Sequence, residues 1–357
     1  MRHLCLLAIL LVTPAIGQSA ENRVMVIQPD VQVRNRDGRQ VPVTLGQVLR
    51  TSVTKPDWYW IPRLRGWLQA KDALPLEKCD DYFSTVIRTN PTAQAYHHRA
   101  LALVALDRRV EALNDFNAAI RLKPNSSLYI NRGNAYRDME KESEATRDYN
   151  LALQLDPRNY LALNNRGLLF SNQAKYDQAR LDFDAALRLK PDFAEALNHR
   201  GVVKWRTGKP DEAIRDYEGA IKLGTGLPEP YRNLGIIAQS QDDDEKAIKY
   251  YRTALEIDRD FVPANNDLAW LLATTPEEKL REPAAAVKYA TRACALTKMK
   301  KANMIDTLSA ALAAAGQYDE AIKRIDQAIR ISGEEARSDM ETRRKLYLTK
   351  VPFIDRN

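Results

Sequence analysis

The sequence predicts a mainly α-helical solenoid of about seven stacked helix pairs, preceded by a small all-β barrel. Three observations support this fold class. From about residue 93 onward, small and aromatic residues recur at a nearly constant spacing of 33 or 34 residues. Residues 21–75 instead carry short alternating valine patterns separated by turn signals. Of the 357 residues, 45% are hydrophobic and 28% are charged, a composition typical of folded rather than disordered chains.

The first twenty residues have the features of a secretory signal peptide. Arg2 supplies a positive start, and an apolar run follows from Leu4 to Val12. Small residues then allow cleavage after Gly17 or after Ala20. The apolar run is too short to span a bilayer comfortably, and the rest of the sequence offers no second candidate for a span. We therefore expect an exported protein, periplasmic or extracellular, without a stable membrane span.

Residues 21–75 are predicted to form the β-barrel. Valines such as Val24 and Val26 alternate with polar residues, and Gly38 and Gly46 signal turns. The aromatic strand "WYWI" and the strand "GWLQ" follow. Several short strands in so few residues favour closure, because a closed barrel leaves no strand edge unpaired.

The order of these strand signals resembles the small bacterial SH3-like domains found near the N-termini of exported proteins. Trp60 and Trp67 are then expected in the barrel core. Trp58 or Tyr59 is a candidate for the open face, where an aromatic ring can stack on a glycan or a peptide.

From Leu76 onward the chain has a helical pattern with an internal repeat. Small residues recur at steps of 33, 34, 34 and 34, at Ala100, Gly133, Gly167, Gly201 and Gly235. Sixteen residues after each comes an aromatic side chain, at Phe116, Tyr149, Phe183, Tyr217 and Tyr251. Prolines follow the first three repeats, where they end the second helix. Two helices in close contact need small residues at the contact and a large side chain beside it, so this spacing predicts helix pairs.

The pattern resembles the tetratricopeptide repeat, which has a period of about 34 residues. The resemblance implies a right-handed superhelix of seven repeats over residues 93–331, the last two weaker in pattern. Residues 76–92 match only the second-helix half of a repeat and would bridge the barrel to the array. Residues 332–357 contain a charged helix, as expected for a solvent-facing cap, and a tail.

Nothing in the sequence predicts a catalytic centre, a cofactor or a metal site. His97 and His98 are adjacent on a helix and point about 100° apart, which makes them poor joint ligands. Cys79 and Cys294 lie far apart at small-residue positions, so we expect two separate buried thiols. The acidic stretch 242–245 is expected to cap a helix. The net charge of +7 comes from basic residues interspersed with acidic ones, so nucleic acid is not an expected partner.

The resemblance further implies that a partner protein or extended peptide binds in a groove lined by the first helix of each repeat. Helical phase gives the candidate groove residues as His97, Leu101, Asn134, Arg137, Asn164, Leu168, Asn198, Val202, Trp205, Arg232, Ile236 and Trp270. This set lacks the paired lysine and arginine with which some repeats of the family hold a C-terminal carboxylate.

An arginine precedes the small residue in four repeats, and an aspartate follows sixteen residues later. The pairs are Arg99 with Asp115, Arg132 with Asp148, Arg166 with Asp182, and Arg200 with Asp216. The three remaining repeats lack both residues. The two positions lie level on paired helices, so we expect structural ion pairs. The aspartate could pair within its repeat or with the arginine of the next, and the sequence leaves both arrangements open.

The leading hypothesis is a non-catalytic, exported scaffold that binds a protein or peptide in the groove. The alternative, of a different class, is a binder of cell-envelope glycan or peptidoglycan that acts through the β-barrel.

Overall fold

The computed structural model describes residues 23–35, 40–51, 53–55, 57–61 and 66–355. The predicted signal peptide and both of its cleavage positions lie outside these residues. The described part of the chain contains eight β-strands followed by sixteen α-helices. It divides into two compact units, an N-terminal unit that ends at Val203 and a C-terminal unit that begins at Lys204.

The strands form two antiparallel sheets around one small core. They are β1 (Arg23–Val26), β2 (Val31–Asn35), β3 (Gln40–Val43), β4 (Val48–Arg50), β5 (Val53–Lys55), β6 (Trp58–Ile61), β7 (Gly66–Gln69) and β8 (Ala73–Pro75). One sheet has the order β4-β1-β8 and the other β3-β2-β7-β6-β5. Val26, Val33 and Leu68 are fully buried between them. The predicted small β domain is present, with its core built from the alternating valines.

The helices follow in the order that the repeat spacing predicts. They are α1 (Cys79–Thr89), α2 (Ala93–Ala105), α3 (Arg109–Leu122), α4 (Ser126–Asp138), α5 (Glu142–Leu155), α6 (Tyr160–Asn172), α7 (Tyr176–Leu189), α8 (Ala194–Arg206), α9 (Pro210–Lys222), α10 (Glu229–Ser240), α11 (Asp244–Ile257), α12 (Val262–Thr274), α13 (Pro283–Leu296), α14 (Ala302–Ala314), α15 (Tyr318–Ile331) and α16 (Glu334–Leu348). Helices α2, α4 and α6 of the N-terminal unit and helices α10, α12 and α14 of the C-terminal unit each pack on the second helix that follows. The extra residues between α12 and α13 include a short 3-10 helix, Glu278–Leu280.

The helix boundaries follow from capping and turn chemistry. Thr92, Asn125 and Asn159 each precede a first helix and accept a hydrogen bond from a backbone amide of its first turn. The loop to the second helix instead needs one residue in the left-handed region. Asp242 has a φ of 59°, and Asp243 caps α11 by accepting from the Lys246 amide. The acidic stretch 242–245 is thus a turn and a cap.

Gly133, Gly167 and Gly235 each mark a close approach of the two helices of their repeat. A Cβ added to Gly133 would come within 2.8 Å of Tyr149 Cε1. At Gly235 the corresponding distance to Tyr251 Cε1 is only 2.5 Å. Both tyrosines are fully buried. The predicted pairing of a small residue with the aromatic side chain sixteen positions later is therefore a direct contact.

The β domain packs against the first helix of the array. Gly46, at a φ of +84°, lies so close to α2 that an added Cβ would be 2.8 Å from His98 Cδ2 and 3.3 Å from Leu101 Cδ1. Met25 of β1 and Leu76 belong to one apolar cluster with Leu101. The β domain therefore covers the surface of the first repeat that would otherwise begin the groove.

The two cysteines among the described residues, Cys79 and Cys294, are free and buried, as predicted. Burial raises the pKa of the Cys79 thiol to about 12 and that of Cys294 to about 11. Both thiols therefore stay protonated at neutral pH, which makes them poor nucleophiles and poor metal ligands.

Candidate functional site

Arginine and aspartate meet within the same repeat in the N-terminal unit. Arg132 donates from Nε and Nη2 to the two carboxylate oxygens of Asp148, at 2.7 and 2.6 Å. The pairs Arg99–Asp115 and Arg166–Asp182 repeat this two-point contact at 2.7–2.8 Å. The Asp148 side chain is only 2% exposed, against 17% for Arg132. These arginines are therefore committed to buried carboxylates rather than presented to a ligand.

The third nitrogen of each arginine binds the preceding second helix. Arg132 Nη1 donates to Asn117 Oδ1 at 2.6 Å, and Arg166 Nη1 donates to Asn150 Oδ1 at 2.7 Å. In the first repeat the acceptor is Ser84 Oγ at 2.9 Å from Arg99 Nη1. Each arginine thus joins the second helix of its own repeat to that of the repeat before. The aspartate pairs within its repeat, which resolves the two arrangements that the sequence left open.

The fourth predicted pair joins residues of different units. Within the N-terminal unit, Arg200 Nη1 donates to Asp184 on the preceding second helix at 2.9 Å. Within the C-terminal unit, Asp216 accepts from Lys204 Nζ at 2.8 Å. The pairing of Arg200 with Asp216 stays a prediction.

Amide and imidazole groups connect successive first helices of the N-terminal unit. The contacts are His97 Nε2 to Asn131 Nδ2 at 2.8 Å, Asn165 Nδ2 to Asn134 Oδ1 at 3.1 Å, and His199 Nδ1 to Asn164 Oδ1 at 2.9 Å. Tyr149 Oη also donates to Asn134 Oδ1, at 2.7 Å. These polar groups hold the helices in register.

Four predicted groove residues are buried: Leu101, Asn134, Asn164 and Asn198. The prediction that they face an open groove is wrong. Leu101 lies beneath the β domain, and Asn134 and Asn164 are used by the neighbouring helices. His97 is half-buried in the same contacts, and Arg137, Leu168, Val202 and Trp205 are half-buried.

Burial keeps the histidines neutral. It lowers the pKa of His97 to about 3, with a further contribution from His98. Burial also lowers the pKa of His98 to about 4 and, together with the nearby Arg137 charge, that of His199 to about 4. Among the described residues no group of three or more histidine, cysteine or acidic side chains is placed to hold a metal ion.

In the C-terminal unit the predicted groove residues come together. Arg232, Ile236 and Trp270 line one cavity of about 320 Å³ between α10, α12 and α14. Arg232 Nε donates to Asp267 Oδ2 at 2.6 Å, which orients the guanidinium along the cavity wall. The other lining residues are Gln239, Tyr251, Asn266, Asp267, Asn303, Asp306 and Thr307.

Asn266 is the most informative of these lining residues. Its Oδ1 atom is buried and has no hydrogen-bond partner among the described residues. A buried amide oxygen without a partner costs roughly 1–3 kcal/mol, so a donor supplied by a ligand would stabilise this side chain. Sequence periodicity places a residue on a face but does not show whether its hydrogen bonds are satisfied, so the reasoning from sequence missed Asn266.

The aromatic residues of β6 and β7 lie on two faces of the sheet. Tyr59 packs against the β core beside its cross-strand partner Leu68. Trp60 and Trp67 pair across the strands on the opposite face, with ring centroids 5.1 Å apart. By strand alternation Trp58 shares that face. The placement of Tyr59 on the open face and of Trp60 and Trp67 in the core is therefore wrong, whereas Trp58 is half-buried on the outer face.

Comparison with known families identifies the helical region. A tetratricopeptide repeat model matches residues 93–126, 126–159 and 160–193, and a second model of the same repeat matches residues 192–260. Residues 93–260 are tetratricopeptide repeats. Helices α12–α15 continue this tetratricopeptide region beyond the matched residues with the same pairing of helices.

Solved structures share the tetratricopeptide fold. Yeast Tom70 is 21% identical, with a TM-score of 0.58, and the match covers 77% of this chain and 59% of that one. The Cut9–Hcn1 hetero-tetramer of the APC/C gives 18% identity, a TM-score of 0.59, and coverage of 76% and 52%. This chain thus spans little more than half the length of either, and the likeness shows the fold alone. A search of curated protein sequences found no match.

The tetratricopeptide fold is typical of scaffolds for protein–protein interaction. None of the helices in the described part of the chain has both the length and the apolar character needed to cross a membrane.

Proposed function

We propose that the protein is a non-catalytic, exported scaffold that binds an extended segment of a partner protein on its first helices. The cavity of the C-terminal unit, with the unpartnered Asn266 Oδ1 in its wall, is the observation that carries this proposal. It is the place where three predicted groove residues, Arg232, Ile236 and Trp270, converge.

The lining of the cavity suits a peptide backbone. An extended segment brings amide groups that need hydrogen-bond partners, and Asn266 and Asn303 offer both donors and acceptors. Ile236 and Trp270 supply apolar surface for alternate side chains. Arg232 is already neutralised by Asp267, so recognition depends on hydrogen bonding and shape more than on net charge.

Partner capture by the purified full chain tests the proposal. We expect Asn266→Ala and Ile236→Glu each to reduce recovery of the specific partner about tenfold or more, because each removes a contact from the binding surface. Glu256→Ala on the exposed side of α11 is the matched control and should leave recovery unchanged. Unchanged recovery with both cavity variants would remove the basis for the proposed site.

The export part of the proposal rests on the N-terminal sequence. Sequencing the N-terminus of the protein isolated from its native cells should find Gln18 or Glu21 as the first residue. A chain that still begins at Met1 would contradict it.

Binding of a cell-envelope glycan is the second candidate function. The outer face of the five-stranded sheet carries Trp58 together with the edge-to-face pair Trp60 and Trp67, and such aromatic surfaces suit the apolar faces of sugars. We expect the full chain to sediment with envelope polysaccharide and Trp58→Ala to reduce this binding. If the unchanged protein and Trp58→Ala sediment equally, the outer face of the sheet does not bind the polysaccharide.

A further inference from the structure

The segment that follows α16 returns to the first helices of the C-terminal unit. The helix ends at Leu348, and the Val351 amide donates back to Leu346 O at 3.0 Å. Residues 351–355 then run without regular secondary structure. At their end the Asp355 amide donates to the carbonyl of Thr274, the last residue of α12, at 2.8 Å. The segment is therefore bound by backbone contact as a peptide ligand would be.

Two side chains of the segment contact Trp270. The indole Nε1 of Trp270 donates to Asp355 Oδ2 at 2.9 Å. The Phe353 ring lies against the Trp270 ring with a centroid separation of 5.7 Å. The Arg343 guanidinium lies 5.4 Å from the centroid of each of these two rings, which is within the range of a cation–π contact.

The surface beneath the segment is fixed independently of it. Arg343 donates from Nε and Nη2 to the two carboxylate oxygens of Asp306, at 3.1 and 2.6 Å. Both side chains are nearly buried, at 12% and 8% exposure. Release of residues 351–355 would therefore leave Arg343, held by Asp306, beside Trp270 and the Thr274 carbonyl of α12.

Trp270 belongs to this surface and also lines the 320 Å³ cavity. The segment thus contacts a residue of the proposed partner site, although residues 351–355 are not among those that line the cavity. Val351 is 45% exposed, residues 352–355 are half-buried, and the segment has no regular secondary structure, so its local stability is lower than that of the helices. Such a segment can dissociate without unfolding the helices below it.

We propose that residues 351–355 are an intrinsic ligand of the C-terminal unit. The partner then supplies an extended peptide with an aromatic side chain followed two residues later by a carboxylate, and this peptide displaces the intrinsic segment. The inference rests on the proposed function. It adds the chemical class of the partner sequence and the competition between that sequence and residues 351–355 for the same surface.

A labelled peptide with the sequence of residues 350–355, blocked at both ends, tests this inference with the full chain. The intrinsic segment competes for the same surface, so the unchanged protein should bind the peptide about tenfold or more weakly than the F353A/D355N variant. Val351→Ala, which changes only an exposed side chain, is the matched control and should behave as the unchanged protein. A peptide carrying F353A and D355N should bind neither protein.

The F353A/D355N variant must first show the same helical circular dichroism as the parent protein. If it does not, Asp355→Asn alone replaces it in the assay, because this change removes fewer contacts. Trp270→Phe in either background should weaken peptide binding about tenfold, since its indole N–H is lost. Equal binding to parent and variant, or no binding to the variant, would overturn the inference.

The two proposals fail separately. The peptide assay contains no partner, so its failure removes the intrinsic ligand and leaves the cavity proposal intact. If partner recovery is unchanged by Asn266→Ala and Ile236→Glu while the peptide still binds the tail variant, the proposed function fails instead. If both hold, partner recovery should rise with F353A/D355N. No rise would contradict the assignment of the partner sequence.

Discussion

At the scale of single residues, the arginine before the small residue connects three helices in each of the first three repeats. Arg132 lies on α4, takes both oxygens of Asp148 on α5, and uses Nη1 for Asn117 on α3. The hydrogen bonds that Arg132 donates to Asp148 raise the pKa of the guanidinium above its ordinary value. Removing the Asp148 carboxylate leaves a largely buried, charged guanidinium whose remaining hydrogen-bond acceptor is Asn117. Such an uncompensated buried charge lowers the stability of the fold.

We therefore expect Asp148→Ala to lower the free energy of unfolding by about 3–5 kcal/mol. A double-mutant cycle with Arg132→Ala, followed by chemical denaturation, should give a large coupling energy. The exposed pair Lys279–Glu277 is the control, with an expected coupling of about 1 kcal/mol or less. Coupling near zero for Arg132 and Asp148 would show that the pair does not stabilise the array.

The buried histidines make stability depend on pH. The folded-state pKa values of His97, His98 and His199 lie near 3, 4 and 4, below the ordinary value of 6.5. Below pH 6.5 the unfolded chain therefore binds more protons than the folded chain. This stabilisation is complete above pH 6.5 and is lost as the pH falls toward 4, by at most about 1.4 kcal/mol per pH unit for each imidazole.

His199→Asn should flatten this dependence. Asparagine stands at the same position of the two preceding repeats, at 131 and 165, and can offer an amide donor to Asn164. We expect little change in the free energy of unfolding at pH 7 and a smaller loss than in the parent between pH 6.5 and pH 4. Parallel curves from urea denaturation across this range would contradict the role of His199.

At this scale the sequence predicts the ion pairs better than the groove. Arginine and aspartate occur together in four repeats and are absent together in three, so their spacing alone indicates a contact. The contacts of Asn117 and Asn150 with arginine could not be predicted from the spacing within one repeat, because each asparagine binds the arginine of the following repeat. The burial of Asn134 depends on Tyr149 and Asn165, and helical phase cannot show that two other side chains already use its oxygen.

At the scale of elements, the helix pairs α4–α5, α6–α7 and α10–α11 each have a glycine that faces one aromatic ring. Alanine has the higher helix propensity, but at Gly235 an added Cβ would meet the buried Tyr251 ring at 2.5 Å. The close approach outweighs propensity because the ring has no free space to move into.

Gly235→Ala should therefore destabilise the C-terminal unit by about 1–3 kcal/mol, measured by thermal or urea unfolding. Gly333→Ala is the control, since a Cβ there meets nothing within 4 Å. A Gly235 variant as stable as the parent would mean that helices α10 and α11 can separate without cost.

The β domain and α2 form the other contact between elements that a single substitution can test. Gly46 combines a left-handed φ of +84° with a 2.8 Å approach to His98. Gly46→Ala should raise amide hydrogen exchange in α2 and leave α6 unchanged, because repeats interact mainly with their neighbours. Gly208→Ala, with a φ of +75° and no neighbour within 4 Å, measures the backbone strain alone. Unaltered exchange in α2 would argue against a covering role for the β domain.

At the scale of the whole molecule, periodicity predicted the order of elements because each repeat is a local unit. Helix α2 begins at Ala93 and α15 ends at Ile331, which are the limits given by the spacing of small and aromatic residues. The division between Val203 and Lys204 has no signal in the sequence, since it falls inside α8. The return of residues 351–355 to α12 joins positions 85 residues apart, and no periodic pattern reports such a contact.

The two units use their first helices differently. In the N-terminal unit, amides and imidazoles bind one another and the β domain covers Leu101. In the C-terminal unit, the first helices leave a cavity with an unpartnered amide oxygen and an intrinsic segment beside it. The proposed partner site therefore lies in the C-terminal unit, although the sequence placed eight of the twelve candidate groove residues in the N-terminal unit.

Site-specific photo-crosslinking of the full chain in its native cells tests this assignment most directly. A photoreactive residue in place of Ile236, in the cavity wall, should yield one specific crosslinked partner, and Asn266→Ala should reduce that product. The same residue in place of Glu256, on the exposed side of α11, should yield none. Equal crosslinking from both positions, or a product from Glu256 alone, would contradict the claim that the first helices of the C-terminal unit bind the partner.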